Sequence, residues 1–244
     1  MKKIFFIVTT TLLGFQLIAQ NPNDVLKNID KNMSADTRII ESTMVVNGKR
    51  NVRTMTSKSY TMGDEKSYTE YLSPARDKGT KMLKLGDELW MYSPSTDRTI
   101  MISGHMLRQS VMGSDLSYED SMEDRKLEEM YTPKITGQET VDGRSCYVME
   151  LTAKVNDVAY HSQKLWVDTE RFIPLKQELY AKSGQMLKRI TLSDIKKIDG
   201  RWFPMKMNYK DVLKDGDGTD WIITDIQFNK AIPEHIFSKA SLKQ

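Results

Sequence analysis

The chain has 244 residues, and 36 lysines and arginines against 33 acids leave a formal net charge of +3. That balance excludes nucleic acid as a partner, because phosphates demand a strong basic excess. The single cysteine, Cys146, excludes an intramolecular disulfide.

The first residues have the layout of a secretory signal peptide. Lys2 and Lys3 give a positive start, and residues 4–18 are apolar apart from Thr9, Thr10, Thr11, Gly14 and Gln16. A membrane span needs roughly 20 apolar residues, so cleavage is expected, between Ala19 and Gln20. Residues 1–19 are then the signal peptide and residues 20–244 one mature domain of net charge +1. With no cysteine near the cut, no lipid is expected on the mature N-terminus. The expected location is the periplasm, as a soluble protein.

Residues 22–33 carry Val25, Leu26, Ile29 and Met33 at helical spacing, with Pro22 suited to a first turn. From Thr37 the texture becomes β. Residues 37–47 are rich in β-branched types and end at Asn47-Gly48, a strong hairpin turn. Further strands are predicted over 50–60, 65–73, 79–85, 88–93 and 98–102, separated by Gly, Asp and Pro turns.

Residues 103–130 break this rhythm. They predict two short helices joined at Gly113, the second opened by Ser117 and Asp120 at capping-box spacing. Such a length is too great for a plain connection, and the segment is expected to cover an open end or the concave face of the sheet.

Tight turns then recur, and strands are predicted over 144–154, 158–167, 172–182, 185–197, 201–213 and 219–228. Phe203, Met205, Met207 and Tyr209 point one way, and Ile222, Thr224, Ile226 and Phe228 repeat the pattern, so each strand buries one face. The fold class is mainly β with short helices (α+β). It is a curved antiparallel meander, because long strands in such number do not stay flat. Sixteen methionines are the compositional anomaly. Alone, they fit an irregular core more readily than a lining for partners of variable shape.

Signs of chemistry are absent. His105, His161 and His235 are scattered, with no H-E-x-x-H pattern and no cysteine at metal-ligand spacing. No G-x-S-x-G elbow occurs. The run from Asp215 to Asp220 lacks the sixth-position glycine and the closing glutamate of a calcium loop, and is read as a hairpin tip. Asp115, Glu119 and Asp120 could serve acid–base work, but at a helix start they act equally well as caps. No metal, cofactor or catalytic residue is assigned, and the chain is read as a non-enzyme.

Residues 89–120 resemble the central signature of the LolA-like outer-membrane lipoprotein-sorting proteins. The matching positions are Trp90, Tyr92, Pro94, Arg98, Ile102, Gly104, Gln109, Met112, Gly113, Asp115, Tyr118, Glu119 and Asp120. LWVDTERFIPLKQELY, GRWFPMKM and the closing Ile232-Pro233-x-x-x-Phe237 extend the likeness over nearly all of the mature chain. The resemblance implies an incomplete β-barrel with helices covering the concave face and enclosing an apolar cavity. It implies a soluble periplasmic carrier of the acyl chains of lipoproteins or other lipids, bound for the outer membrane. The implied partners are those chains, an inner-membrane exporter and an outer-membrane acceptor. Relatives of this fold that sense lipid and regulate a stress pathway supply the alternative, and an envelope-lipid hydrolase is a weaker third. The expected lipid-binding residues are Trp90 or Tyr92, Met101, Met106, Leu107 and Met112, with Met205 and Met207. Alternation leaves open which face of 88–93 points inward.

Overall fold

The computed structural model describes residues 20–243, so the expected signal segment 1–19 lies outside the described residues. The predicted first helix forms as α1, Pro22–Met33. Its N-terminus is capped by Asn21, whose side chain accepts the Asn23 N–H at 2.9 Å. Pro22 occupies the first turn, where a missing N–H costs nothing. Val25, Leu26 and Ile29 are buried against Met149, Leu151, Leu165 and Val167 of the sheet. Burial of each such side chain contributes about 1.5–3 kcal/mol, so this one face docks the helix.

Thirteen strands follow. The first six are β1 (Thr37–Asn47), β2 (Val52–Met62), β3 (Lys66–Ser73), β4 (Lys81–Leu85), β5 (Glu88–Ser93) and β6 (Arg98–Ile102). After a helical interval come β7 (Tyr131–Val141), β8 (Arg144–Ala153), β9 (Ser162–Asp168), β10 (Pro174–Tyr180), β11 (Met186–Ile198), β12 (Arg201–Asp211) and β13 (Gly218–Phe228). All lie in one antiparallel sheet of order β6-β5-β4-β3-β2-β1-β13-β12-β11-β10-β9-β8-β7. Each half is a meander, and the pairing of β1 with β13 joins them. The sheet curves without closing, leaving β6 and β7 as its two edges.

Register assigns the faces. Met44 opposes Met55 and Trp221, and Met207 in turn opposes Trp221. On the far side, Met82 opposes Met91 and Lys84 opposes Leu89. These residues share the inner, concave face with Phe203 and Met205. Tyr60, Tyr68, Leu83, Trp90 and Tyr92 lie on the outer face, beneath a C-terminal segment that contributes Ile232, Phe237 and Leu242.

Three expectations need correction. Strand β7 went unpredicted, because Tyr131, Pro133 and Ile135 alternate only briefly on an edge strand interrupted by proline, and after the register shift beside Gly137 the run is polar and exposed. The expected face of Ile222, Thr224, Ile226 and Phe228 is split by a bulge opposite Glu41 and Ser42. Ile223, Ile226 and Phe228 are buried instead, and Thr224 is exposed. The first expected helix after β6 consists of short 3-10 turns at Gly104–Arg108 and Val111–Gly113.

Candidate functional site

Strands β6 and β7 are consecutive in sequence but lie at opposite edges of the sheet. The chain between them must therefore travel from one edge to the other. It does so across the concave side, through the two 3-10 turns, α2 (Tyr118–Met122) and α3 (Leu127–Met130). The topology thus makes residues 103–130 a strap over the open trough. Ser117 and Asp120 form the predicted capping box at the start of α2.

Side chains from both halves of the sheet tie the strap down. On the β12–β13 side, Asp115 accepts the Asp211 N–H at 3.0 Å and the Thr219 hydroxyl at 2.7 Å. Asp120 takes the Tyr160 hydroxyl at 2.6 Å on one oxygen and the Lys188 ammonium, from β11, on the other. Burial and the adjacent Asp120 carboxylate push the Tyr160 phenol far above its usual range. On the opposite side, the buried Lys84 of β4 donates to the Met122 carbonyl at 2.6 Å, and also to the Asp64 carbonyl. Arg53 of β2 donates to the Met112 carbonyl at 3.0 Å. There the backbone turns through two left-handed residues, Met112 (φ 49°) and Gly113 (φ 71°). A side chain at Gly113 would be strained by that φ and would meet the Arg53 guanidinium at 3.3 Å.

Beneath the strap lies an apolar surface. Met44, Met55, Tyr71, Met82, Leu89 and Ile102 of the sheet are buried under Val111 and Tyr118. Met106, Leu107, Met112, Leu116 and Met122 of the strap pack against them, half-buried. Seven of the sixteen methionines meet in this cluster (Met44, Met55, Met82, Met91, Met106, Met112 and Met122), so the anomaly is concentrated on one surface. Trp221 packs against this cluster and also against the neighbouring one of Leu192, Phe203, Met205, Met207 and Ile226. The two form one apolar floor.

The eight expected lipid-binding residues therefore fall into three places. Met106, Leu107 and Met112 come together under the strap, and Met205 and Met207 line the adjoining floor. Trp90 and Tyr92 instead belong to the outer-face cluster, with Lys239 stacked 3.8 Å from the Trp90 ring. Met101 stands on that same outer face, 44% exposed. The unsettled face of β5 is thus resolved: Leu89 and Met91 point inward. Of the other motif positions, Pro94 lies in the β5–β6 turn and Arg98 on β6, both exposed. Gly104 (φ 56°) begins the strap, and the Gln109 carbonyl accepts the Tyr118 N–H at 3.0 Å. Glu119 is raised above the usual carboxylate range by burial and by Asp120 beside it. The motif from Gly104 onward encodes the strap and its ties.

Sequence reasoning missed the partners Arg53, Lys84, Tyr160, Lys188 and Thr219. Lys84 had a legible signal, since it is a lysine at an inward position between Leu83 and Leu85. A second feature was also missed. A cleft of about 590 Å³ beside α1 and α3 is lined by charged residues, among them Asp30, Arg38, Asp124 and Arg201. Asp30 is buried there and caps α3, accepting the Leu127 and Glu128 N–H groups at 2.9 Å each. This recess is polar, so it is not the apolar cavity expected from the sequence.

A family model described as "Uncharacterized protein"-like matches residues 63–244. No curated protein matches the chain. Among solved structures, a DUF1329 family protein from Desulfovibrio piger is 26% identical, with a TM-score of 0.82 over 90% of this chain and 96% of that one. An outer membrane lipoprotein-sorting protein domain from Vibrio parahaemolyticus is 24% identical, with a TM-score of 0.79 over 92% and 100% of the two chains. A LolA superfamily protein from Nitrosomonas europaea is 24% identical, with a TM-score of 0.75 over 91% and 100%.

Proposed function

The chain belongs to the family defined by that match and has the LolA-like fold, and from that premise we propose that it is a periplasmic carrier of lipid acyl chains, acting in lipoprotein sorting toward the outer membrane. The observation that carries this reading is the methionine-rich floor beneath a strap held by discrete polar ties. A methylene moved out of water is worth about 0.8 kcal/mol, so a chain of about 16 carbons represents roughly 12 kcal/mol. A carrier must supply that burial and then give it up. Flexible thioethers adapt to a chain of variable length without a rigid fit.

In the strapped state, Met106, Leu107 and Met112 occupy the place an acyl chain would take. Loading then exchanges these half-buried side chains for the ligand, so part of the burial gained is offset by burial lost. That exchange favours reversible binding. The strap is joined to the sheet by side-chain ties and not by strand pairing, so it lifts by breaking those ties while the meander stays paired. The role is one of binding, and no residue is assigned to catalysis.

Native mass spectrometry of the protein, purified gently from the periplasm of its own organism, tests the reading. A retained mass of lipid or acylated peptide, released by mild detergent, is the expected result. A protein that carries no lipid and takes up no fluorescent acyl probe after purification is not an acyl carrier.

A further inference from the structure

Val52 and Leu213 are each 64% exposed, the most exposed large apolar side chains among the described residues. They stand on neighbouring hairpins. Strand β1 pairs with both β2 and β13, and Asn47 lies opposite both Val52 and Gly218. The two tips are braced together, with the Asn47 carbonyl accepting the Asp217 N–H at 3.0 Å. A Cβ on Gly216 would come within 2.5 Å of that same carbonyl, so glycine is what permits the close approach.

The same tips hold the strap. Arg53 grips the Met112 carbonyl from one hairpin, and Lys214 reaches the Ser114 carbonyl at 3.0 Å from the other. The exposed apolar pair therefore sits where the cover of the apolar floor is tied. Its surroundings carry a modest basic excess: Lys49, Arg50, Arg53, Lys210 and Lys214 stand against Asp211, Asp215 and Asp217 of the tips and Asp77, which lies 3.8 Å from Arg53. Lys49 pairs with Asp215 at 3.3 Å and Lys214 with Asp211 at 3.4 Å; the first pair is more than 70% exposed on both sides and weak, and the second is partly exposed.

We propose that these two hairpin tips are a docking surface for an anionic lipid membrane. Two isolated apolar side chains on braced hairpins offer no groove to a protein partner. They suit shallow insertion below the headgroups, with the long cationic side chains meeting lipid phosphates above. Docking there sets the strap at the bilayer, where an acyl chain would enter or leave. That purpose rests on the carrier reading, while the surface itself does not.

The test is sedimentation of the mature chain with phosphatidylcholine vesicles that contain or lack phosphatidylglycerol. Binding is expected to the anionic vesicles alone, weakening as salt is raised. Val52→Glu with Leu213→Glu, and separately Lys49→Glu with Arg50→Glu, should each lower the partition by about tenfold. Both double variants should bind a fluorescent acyl probe in solution as the parent does. A parent that ignores anionic vesicles, binds neutral ones equally, or loses nothing on either double substitution overturns the docking surface. Loss of vesicle binding in the variants, alongside a parent that takes up no acyl probe, upholds the surface and sinks the carrier reading instead.

Discussion

Asp115 and Thr219 are hydrogen-bonded to each other twice: the Asp115 N–H donates to the Thr219 hydroxyl oxygen at 3.0 Å, and that hydroxyl donates to the Asp115 carboxylate at 2.7 Å. Both residues are buried, Thr219 completely. The pair thus fixes strap to sheet where water does not compete, so its loss is costly. Thr219→Val keeps the shape and leaves a buried carboxylate oxygen and an N–H without that partner. We expect a loss of about 1–3 kcal/mol in urea denaturation. Amide exchange should also quicken across 110–117 while β11 and β12 stay protected. Unchanged exchange in 110–117 would show that this pair does not hold the strap.

Glu119 gives the strap a pH dependence. Burial, followed by the neighbouring Asp120 carboxylate, raises its pKa above the unfolded value. The folded state then holds the proton more tightly than the unfolded one. Its contribution is fully present below the unfolded pKa and is lost as pH rises through the folded pKa. Glu119→Gln should therefore be more stable than the parent at neutral pH, and the two should converge under mild acid. Melting temperatures measured at several pH values check this, and a variant less stable than the parent at pH 7 contradicts it.

The meander was legible because its strands alternate between turns of unmistakable chemistry, as Phe203, Met205 and Met207 do before Asp211. The capping box was legible because Ser117 and Asp120 are three residues apart and need nothing distant. The ties could not be read in the same way. Lys188 meets Asp120 across 68 residues and Thr219 meets Asp115 across 104, and no local pattern encodes such a meeting. The face of Trp90 was hidden for a different reason. Residues 88–93 are apolar on both sides, because the C-terminal segment buries the outer side as well. A single inserted residue opposite Glu41 and Ser42 was enough to mislead the reading of β13.

A buried carboxylate, Asp168, anchors the turn between β9 and β10. Asp168 is fully buried and accepts Arg144 at 2.7 and 3.0 Å, and the N–H groups of Glu170 and Arg171 at 2.9 and 3.1 Å. Burial alone would raise its pKa, but Arg144 and the two N–H groups outweigh it and hold the carboxyl below its ordinary value. Its stabilisation is present above the unfolded pKa and is lost as pH falls through the folded pKa. Asp168→Asn should cost about 1–3 kcal/mol at neutral pH, because the buried amide offers one acceptor oxygen where the carboxylate offered two, and Arg144 keeps only the exposed Glu170 as counter-charge. The difference from the parent should shrink in acid. Denaturation curves at neutral pH and at about pH 3, below the unfolded carboxylate pKa, measure both; an equal gap at the two values would remove the ion pair from the account.

The inner and outer faces separate the acyl-binding assignment from simple packing. Leu107 and Met112 belong to the methionine-rich cluster, while Trp90 belongs to the outer one. Leu107→Asp or Met112→Asp places a carboxylate on the apolar surface. Desolvating it there costs several kcal/mol, unless the strap stays lifted or the group takes up a proton. Either variant should lose binding of a fluorescent fatty acyl probe by at least about a hundredfold, which is roughly 2.7 kcal/mol. Lys126→Asp adds a carboxylate of the same kind at an exposed position and should bind like the parent. Trp90→Ala should lower the melting temperature by disturbing the C-terminal segment, yet leave probe affinity unchanged. If Trp90→Ala abolishes binding while Leu107→Asp does not, the ligand lies on the outer face and the strap covers only core.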